Sequence, residues 1–203
     1  MHRPDFERAQ QHALERLERE LAPELVYHSA RHTRDEVLPA VDRLATMEGI
    51  CEEQCGLLRT AAAYHDIGFI EQYAGHEAAG IRIASATLPQ FGFSPAQIRA
   101  IGNIIRATKL PQSPRNLLEQ IMADADLDML GRDDFFIRNA DLRAELALCG
   151  RRATDAEWYS DQLAFLATHV YFTASARAWR GATKQRNLVG LQERLNACRG
   201  EHG

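Results

Sequence analysis

Apolar positions recur at threes and fours along most of the chain, the period of helices laid against a core. Phe6, Ala9, Ala13, Leu14, Leu17 and Leu21 predict an amphipathic helix over residues 4–21, ended by Pro23. Val37, Val41, Leu44 and Met47 mark one face of a second helix, closed by Gly49. A third runs from about Cys51 to Asp66 and is apolar on nearly every side, with Gly68 placed as its stop. After a looser stretch from Phe69 to Gly75, His76–Leu88 predicts a fourth, and Pro89 and Gly92 mark the next turn. Ser94-Pro95-Ala96-Gln97 has the form of a capping box with proline in the first turn, opening a helix that reaches about Thr108.

Leu110-Pro111-Gln112-Ser113-Pro114 reads as a loop, followed by a helix over Leu117–Leu130 that stops at Gly131. Further helices are predicted over residues 132–148, 154–179 and Lys184–Cys198. No stretch shows the strict alternation of a half-buried strand, so the expected class is all-α. No repeat, low-complexity tract or linker divides the 203 residues, which are read as one domain spanning 1–203.

Composition narrows the partners. An apolar content of 45% suffices for a full core, and a net charge of −4 with interleaved signs offers no basic stripe for nucleic acid. Four cysteines do not make a disulfide framework. Cys51 and Cys55 stand four apart with no third Cys or His nearby in sequence, and are read as buried or idle thiols. The first residues lack the apolar core of a secretory signal, and no apolar run approaches the ~20 residues of a membrane span, so a cytoplasmic protein is expected.

The chemistry concentrates at Tyr64-His65-Asp66-Ile67-Gly68, which follows the apolar run Leu57–Ala63. An imidazole beside a carboxylate is costly to bury unless something compensates both, as a metal ion does. Candidate companions are His28 and His32, four apart, then His76, and the acids Asp124, Asp126 and Asp128 within an otherwise apolar segment. A histidine, a His-Asp pair and a distant aspartate form a nitrogen–oxygen donor set without thiolate, which suits Mn, Fe, Co, Ni, Mg or Zn. His169, near Trp158, Phe165 and Leu166, reads as core packing.

Tyr27-His28-Ser29-Ala30-Arg31-His32-Thr33, then Tyr64-His65-Asp66-Ile67-Gly68, then the aspartate in Ala123–Gly131 together resemble the HD-domain superfamily of metal-dependent phosphohydrolases. The resemblance covers residues 25–131, with helices 132–198 expected to pack on that core. It implies an all-α fold holding a divalent ion between helices, with His32, His65, Asp66 and either Asp126 or Asp124 as ligands. Asp126 is favoured by its Ala125-Asp126-Leu127 setting. It further implies a catalytic Asp66, His28 as the acid that protonates the leaving oxygen, and His76 as a second-metal ligand or substrate contact. The further histidines of two-metal members have no counterpart in Ile104–Lys109, so one ion is expected rather than two. Arg31, Arg106 and Lys109 are candidate phosphate contacts.

The expected activity is hydrolysis of a small phosphate ester, a nucleotide or cyclic nucleotide, by a water activated at the metal. The alternatives are a non-catalytic nucleotide sensor built on the same pocket and, with less support, a di-iron oxygenase.

Overall fold

The computed structural model describes residues 4–200, so His2 and His202 lie outside the described residues. Among those residues there are nine α-helices and no strand. The chain divides into two compact units, residues 1–126 and 127–203.

In the first unit the centre is α3, Glu52–Tyr64, which is buried from Gly56 to Tyr64 except at Arg59. Its small side chains, Gly56 and Ala61-Ala62-Ala63, let neighbouring helices approach on every side. Around it pack α1 (Phe6–Glu20), α2 (Leu38–Met47), α5 (Pro95–Arg106) and α6 (Leu117–Asp126). Phe6 of α1 lies against Gly56 so closely that a Cβ there would stand 2.8 Å from its ring. Asp5 caps α1, its carboxylate accepting from the Arg8 amide at 3.1 Å. The capping box at Ser94 and Gln97 forms as the sequence predicts.

Two local departures from regular helix position the chemistry. Residues His32–Val37 form a π-helical turn that runs directly into α2, with the Leu38 amide donating to the Thr33 carbonyl. Such wide turns are rare and concentrate at functional sites. After α3, a short 3₁₀ turn, Ile67–Ile70, brings the chain against α4 (His76–Thr87). Gly68 is required there, because a Cβ would fall 1.9 Å from the His76 carbonyl oxygen.

The second unit contains a 3₁₀ turn (Asp128–Gly131), α7 (Phe135–Leu148), α8 (Asp155–Thr168) and α9 (Ala174–Gly200). Asn187 donates from α9 to the Leu130 and Arg132 carbonyls at 3.0 and 2.9 Å, closing the 3₁₀ turn. Arg180 grips the buried Asp128 with two bonds of 2.5 and 2.8 Å.

Three boundaries differ from the sequence reading. The helix expected over 117–130 stops at Asp126, where the backbone tightens into the 3₁₀ turn. The segment 154–179 is two helices, because His169 turns extended after Thr168. The break expected before Lys184 is absent, and α9 passes straight through Gly181, a helical glycine costing only about 1 kcal/mol against alanine. No described helix is long and apolar enough to cross a membrane.

Candidate metal centre

Three helical segments of the first unit deliver the donors. The π-helical turn supplies His32, the end of α3 supplies His65 and Asp66, and the last residue of α6 supplies Asp126. His32, His65 and Asp66 are all buried, and one ligand atom from each lies within 4.8 Å of the others, a cluster that could hold a metal ion.

The distances give its shape. His65 Nε2 stands 3.1 Å from Asp66 Oδ2 and 3.2 Å from Asp126 Oδ1. His32 Nε2 stands 3.9 Å from the same Asp66 oxygen and 3.7 Å from the same Asp126 oxygen. Two donors each about 2.1 Å from a shared ion are separated by roughly 3.0 Å at a right angle and 3.4 Å at a tetrahedral angle. The observed separations, 3.1 to 3.9 Å, begin just above the right-angle value, include the tetrahedral one and extend beyond it. His65 Nε2 and Asp66 Oδ2 are buried and lack a hydrogen bond. Orphaned buried groups of this kind are costly unless an ion satisfies them.

Both imidazoles have their other nitrogen engaged, which leaves Nε2 facing the cluster. His65 Nδ1 lies 2.7 Å from the Ala62 carbonyl, an acceptor only, so Nδ1 carries the hydrogen. His32 Nδ1 lies 2.9 Å from Glu36 Oε2, one turn further along, where the buried carboxylate has the same effect. Tyr27 stacks on the His32 ring at 5.2 Å. A carboxylate or carbonyl behind a ligating histidine is the usual means of fixing its tautomer and orientation.

Burial opposes charge throughout the cluster, but the groups compensate one another. At His32 burial disfavours the cation, while Asp126 and Glu36 outweigh it and raise the pKa. At His65 burial again works against the cation, and Asp66 and Asp126 raise the pKa well above its ordinary value. Asp66 is held well below the carboxylate range by His65, His28 and His32 against the effect of burial. Burial pushes Asp126 up, yet the adjacent His32 and His65 imidazoles bring it down to about 2.

Beside the four donors lies an aromatic wall. His76 Nε2 approaches the other oxygen of Asp66, Oδ1, at 3.6 Å, and its Nδ1 is 3.2 Å from the Tyr73 carbonyl. Phe69 stacks on His28 at 4.4 Å and on His76 at 3.9 Å. Tyr73 meets Phe69 edge-on at 5.1 Å. His28 itself precedes the helix, in the bend before Ala30, rather than sharing a helical face with His32.

The sequence-predicted residues therefore fall into two groups. His32, His65, Asp66 and Asp126 converge, with His76 at the cluster's edge and His28 beside His76. Asp124, though buried, is two residues from Asp126 and about 200° away around the helix axis. Arg31, Arg106 and Lys109 are exposed, and among the described contacts no ion pair or hydrogen bond links them to the four donors. Arg106 donates to Asn103 Oδ1 at 2.8 Å. Arg31 lines an open cleft of about 450 Å³ with Leu17, Leu21, Val26 and Arg34, and none of the four donors lines it. Glu36, Phe69 and Tyr73 were not singled out by sequence. The spacing of Glu36 four residues after His32 was the available signal.

Comparison of the chain with family models, with curated proteins and with solved structures returns no match.

Proposed function

We propose that this protein is a metal-dependent phosphohydrolase acting on a small phosphate ester, a nucleotide or cyclic nucleotide. The observation that carries the proposal is the convergence of two imidazole nitrogens and two carboxylates, with His32, His65 and Asp66 buried and Asp126 half-buried, and with His65 Nε2 and Asp66 Oδ2 left without hydrogen bonds. The sequence resemblance to the HD-domain superfamily supplies the reaction class.

In this reading His32, His65, Asp66 and Asp126 hold a divalent ion. Bound there, the ion supplies Lewis-acid polarisation of a phosphate oxygen and lowers the pKa of water. Glu36 and the Ala62 carbonyl keep both imidazoles in the tautomer that presents Nε2. Asp66 Oδ1, turned away from His65 toward His76, accepts a hydrogen from the attacking water and orients it. Water oxygen bonds to phosphorus as the ester P–O bond breaks, and His28 gives the departing oxygen its proton. The buried setting of the donors strengthens each of these electrostatic contacts.

The test is a panel of phosphomonoesters, nucleotides and cyclic nucleotides, each assayed with Mn, Fe, Co, Ni, Mg or Zn. Turnover of at least one compound, abolished by chelator and by Asp66→Asn, is expected. A nucleotide that raises the melting temperature but is never hydrolysed would support the sensor reading and overturn this one.

A further inference from the structure

We propose that Phe69 is a positioning residue, a ring that clasps His28 and His76 by stacking on both and so sets the two imidazoles beside Asp66. This rests on the metal-site reading and goes beyond it, since it ties two separate histidines to one unreactive side chain.

The three rings form a closed set. Phe69 lies 26° from parallel with His28 and 18° from parallel with His76, at centroid distances of 4.4 and 3.9 Å. The two imidazole centroids are 6.2 Å apart and tilted 43° to one another. Both imidazoles thus lie near parallel to the Phe69 ring and within stacking distance of it. Tyr73 closes the set, edge-on to both Phe69 and His28.

Phe69 is itself immobilised. It is buried, and it sits in the 3₁₀ turn whose glycine, Gly68, is pressed against the His76 backbone. Its amide donates to the Asp66 carbonyl at 3.0 Å, so the ring and the carboxylate belong to one tight turn. Movement of Phe69 would thus move His76 relative to Asp66, where the present separation is 3.6 Å, and would release His28 from its stack. The two histidines do not act independently. Both stack on the same ring, and the pair should fail together.

The experiment is proton–carbon NMR of the imidazoles in the full-length protein, with the His28 and His76 signals assigned from His28→Gln and His76→Gln. In the wild-type protein, cross-peaks from the Phe69 ring to both imidazoles are expected, with both signals displaced upfield by the ring current. Phe69→Leu should move both signals downfield, with Tyr27 and Tyr73 still beside His28, and Phe69→Tyr should retain the wild-type positions. Metal affinity by calorimetry should be retained in both variants. Turnover in Phe69→Leu should fall by on the order of 10²-fold and be restored in Phe69→Tyr, as misplacement of a reacting group by about 1 Å can cost that much. Absence of the wild-type cross-peaks overturns the clasp whether or not Phe69→Leu folds. Full turnover by a folded Phe69→Leu overturns the positioning role. If no phosphate ester is turned over by the wild-type protein, the phosphohydrolase reading fails, while the clasp is still decided by the ring signals.

Discussion

Glu36 Oε2 lies 2.9 Å from Nδ1 of His32, and both side chains are shut off from water. The pair sits within a single π-helical turn, so the segment that offers a donor nitrogen also fixes it from behind. Glu36→Gln keeps an acceptor but removes the charge, and Glu36→Ala removes both. Loss of such a supporting partner weakens metal binding by about 10–100-fold. Calorimetric titration should show the smaller loss for Glu36→Gln and the larger for Glu36→Ala, with unchanged affinity in either variant counting against the arrangement.

The two acids near the end of α6 should separate cleanly. Asp126 Oδ1 is 3.2 Å from His65 Nε2, whereas Asp124 points about 200° away around the helix. Asp126→Asn should lose bound metal and retain its fold, while Asp124→Asn should retain metal and lose stability, being buried. Metal analysis beside urea denaturation of both variants checks the contrast.

Stability of the metal-free protein should depend on pH with a defined sign. His32 and His65 have raised pKa values in the fold, so their contribution is complete below the unfolded value of about 6.5 and is lost as pH rises through the folded values. Asp66 and Asp126 are depressed, so theirs is present above about pH 4 and is lost as pH falls. Calorimetry in chelator should give a melting temperature that declines from pH 6.5 toward 9. Added metal should stabilise increasingly over that range, since binding requires neutral imidazoles and releases their protons. A chelated protein that gains stability between pH 7 and 9 would contradict the charge assignment.

Much of the architecture was legible in the sequence because periodicity reports it directly. The apolar run 57–63 encodes the central α3, and Ser94 with Gln97 encodes a capping box that the structure forms. The breaks were harder to place. The sequence reading separates a helix ending at 179 from one beginning at Lys184, but α9 runs through both, while His169 ends α8 without any glycine or proline to announce it. In the candidate site, the residues His32, His65, Asp66 and Asp126 were visible as chemistry-bearing types in apolar surroundings. Glu36 was hidden because a glutamate four residues after a histidine is ordinary on any helix surface, and only burial distinguishes it. Phe69 was hidden for the opposite reason, as one more apolar residue whose stacking partners come from separate segments of the chain.

Gly68→Ala tests the close approach that those partners depend on. The added Cβ meets the His76 carbonyl oxygen at 1.9 Å and the Gly80 amide nitrogen at 2.8 Å, both backbone atoms that cannot rotate aside. Forced overpacking of this kind costs about 1–3 kcal/mol or more. Urea denaturation should show a loss at the upper end of that range, and the NMR signal of His76 should move; an unchanged midpoint and signal would refute the tight turn.

His169 predicts an acid limit of a different origin. Both of its ring nitrogens are buried without hydrogen bonds, between Phe165 and Tyr171, and the Lys184 ammonium donates to its backbone carbonyl. Burial, with Lys184 adding to it, lowers its pKa to about 4. The folded protein therefore holds it neutral where the unfolded chain takes up a proton, so stability falls as pH drops from about 6.5 toward 4. His169→Leu should lose less stability between pH 7 and 5 than the wild-type protein, measured by urea denaturation at both values; an equal or greater loss would place the acid sensitivity elsewhere.

The most direct test of the metal centre is the metal content of the purified protein after incubation with a divalent ion and removal of the excess. Wild type should retain about one ion per chain, and Asp66→Asn and His65→Ala should retain little, because each removes a donor from a site that has no spare ligand. Equal metal content in all three proteins, or none in wild type with any of the six ions, would contradict the account.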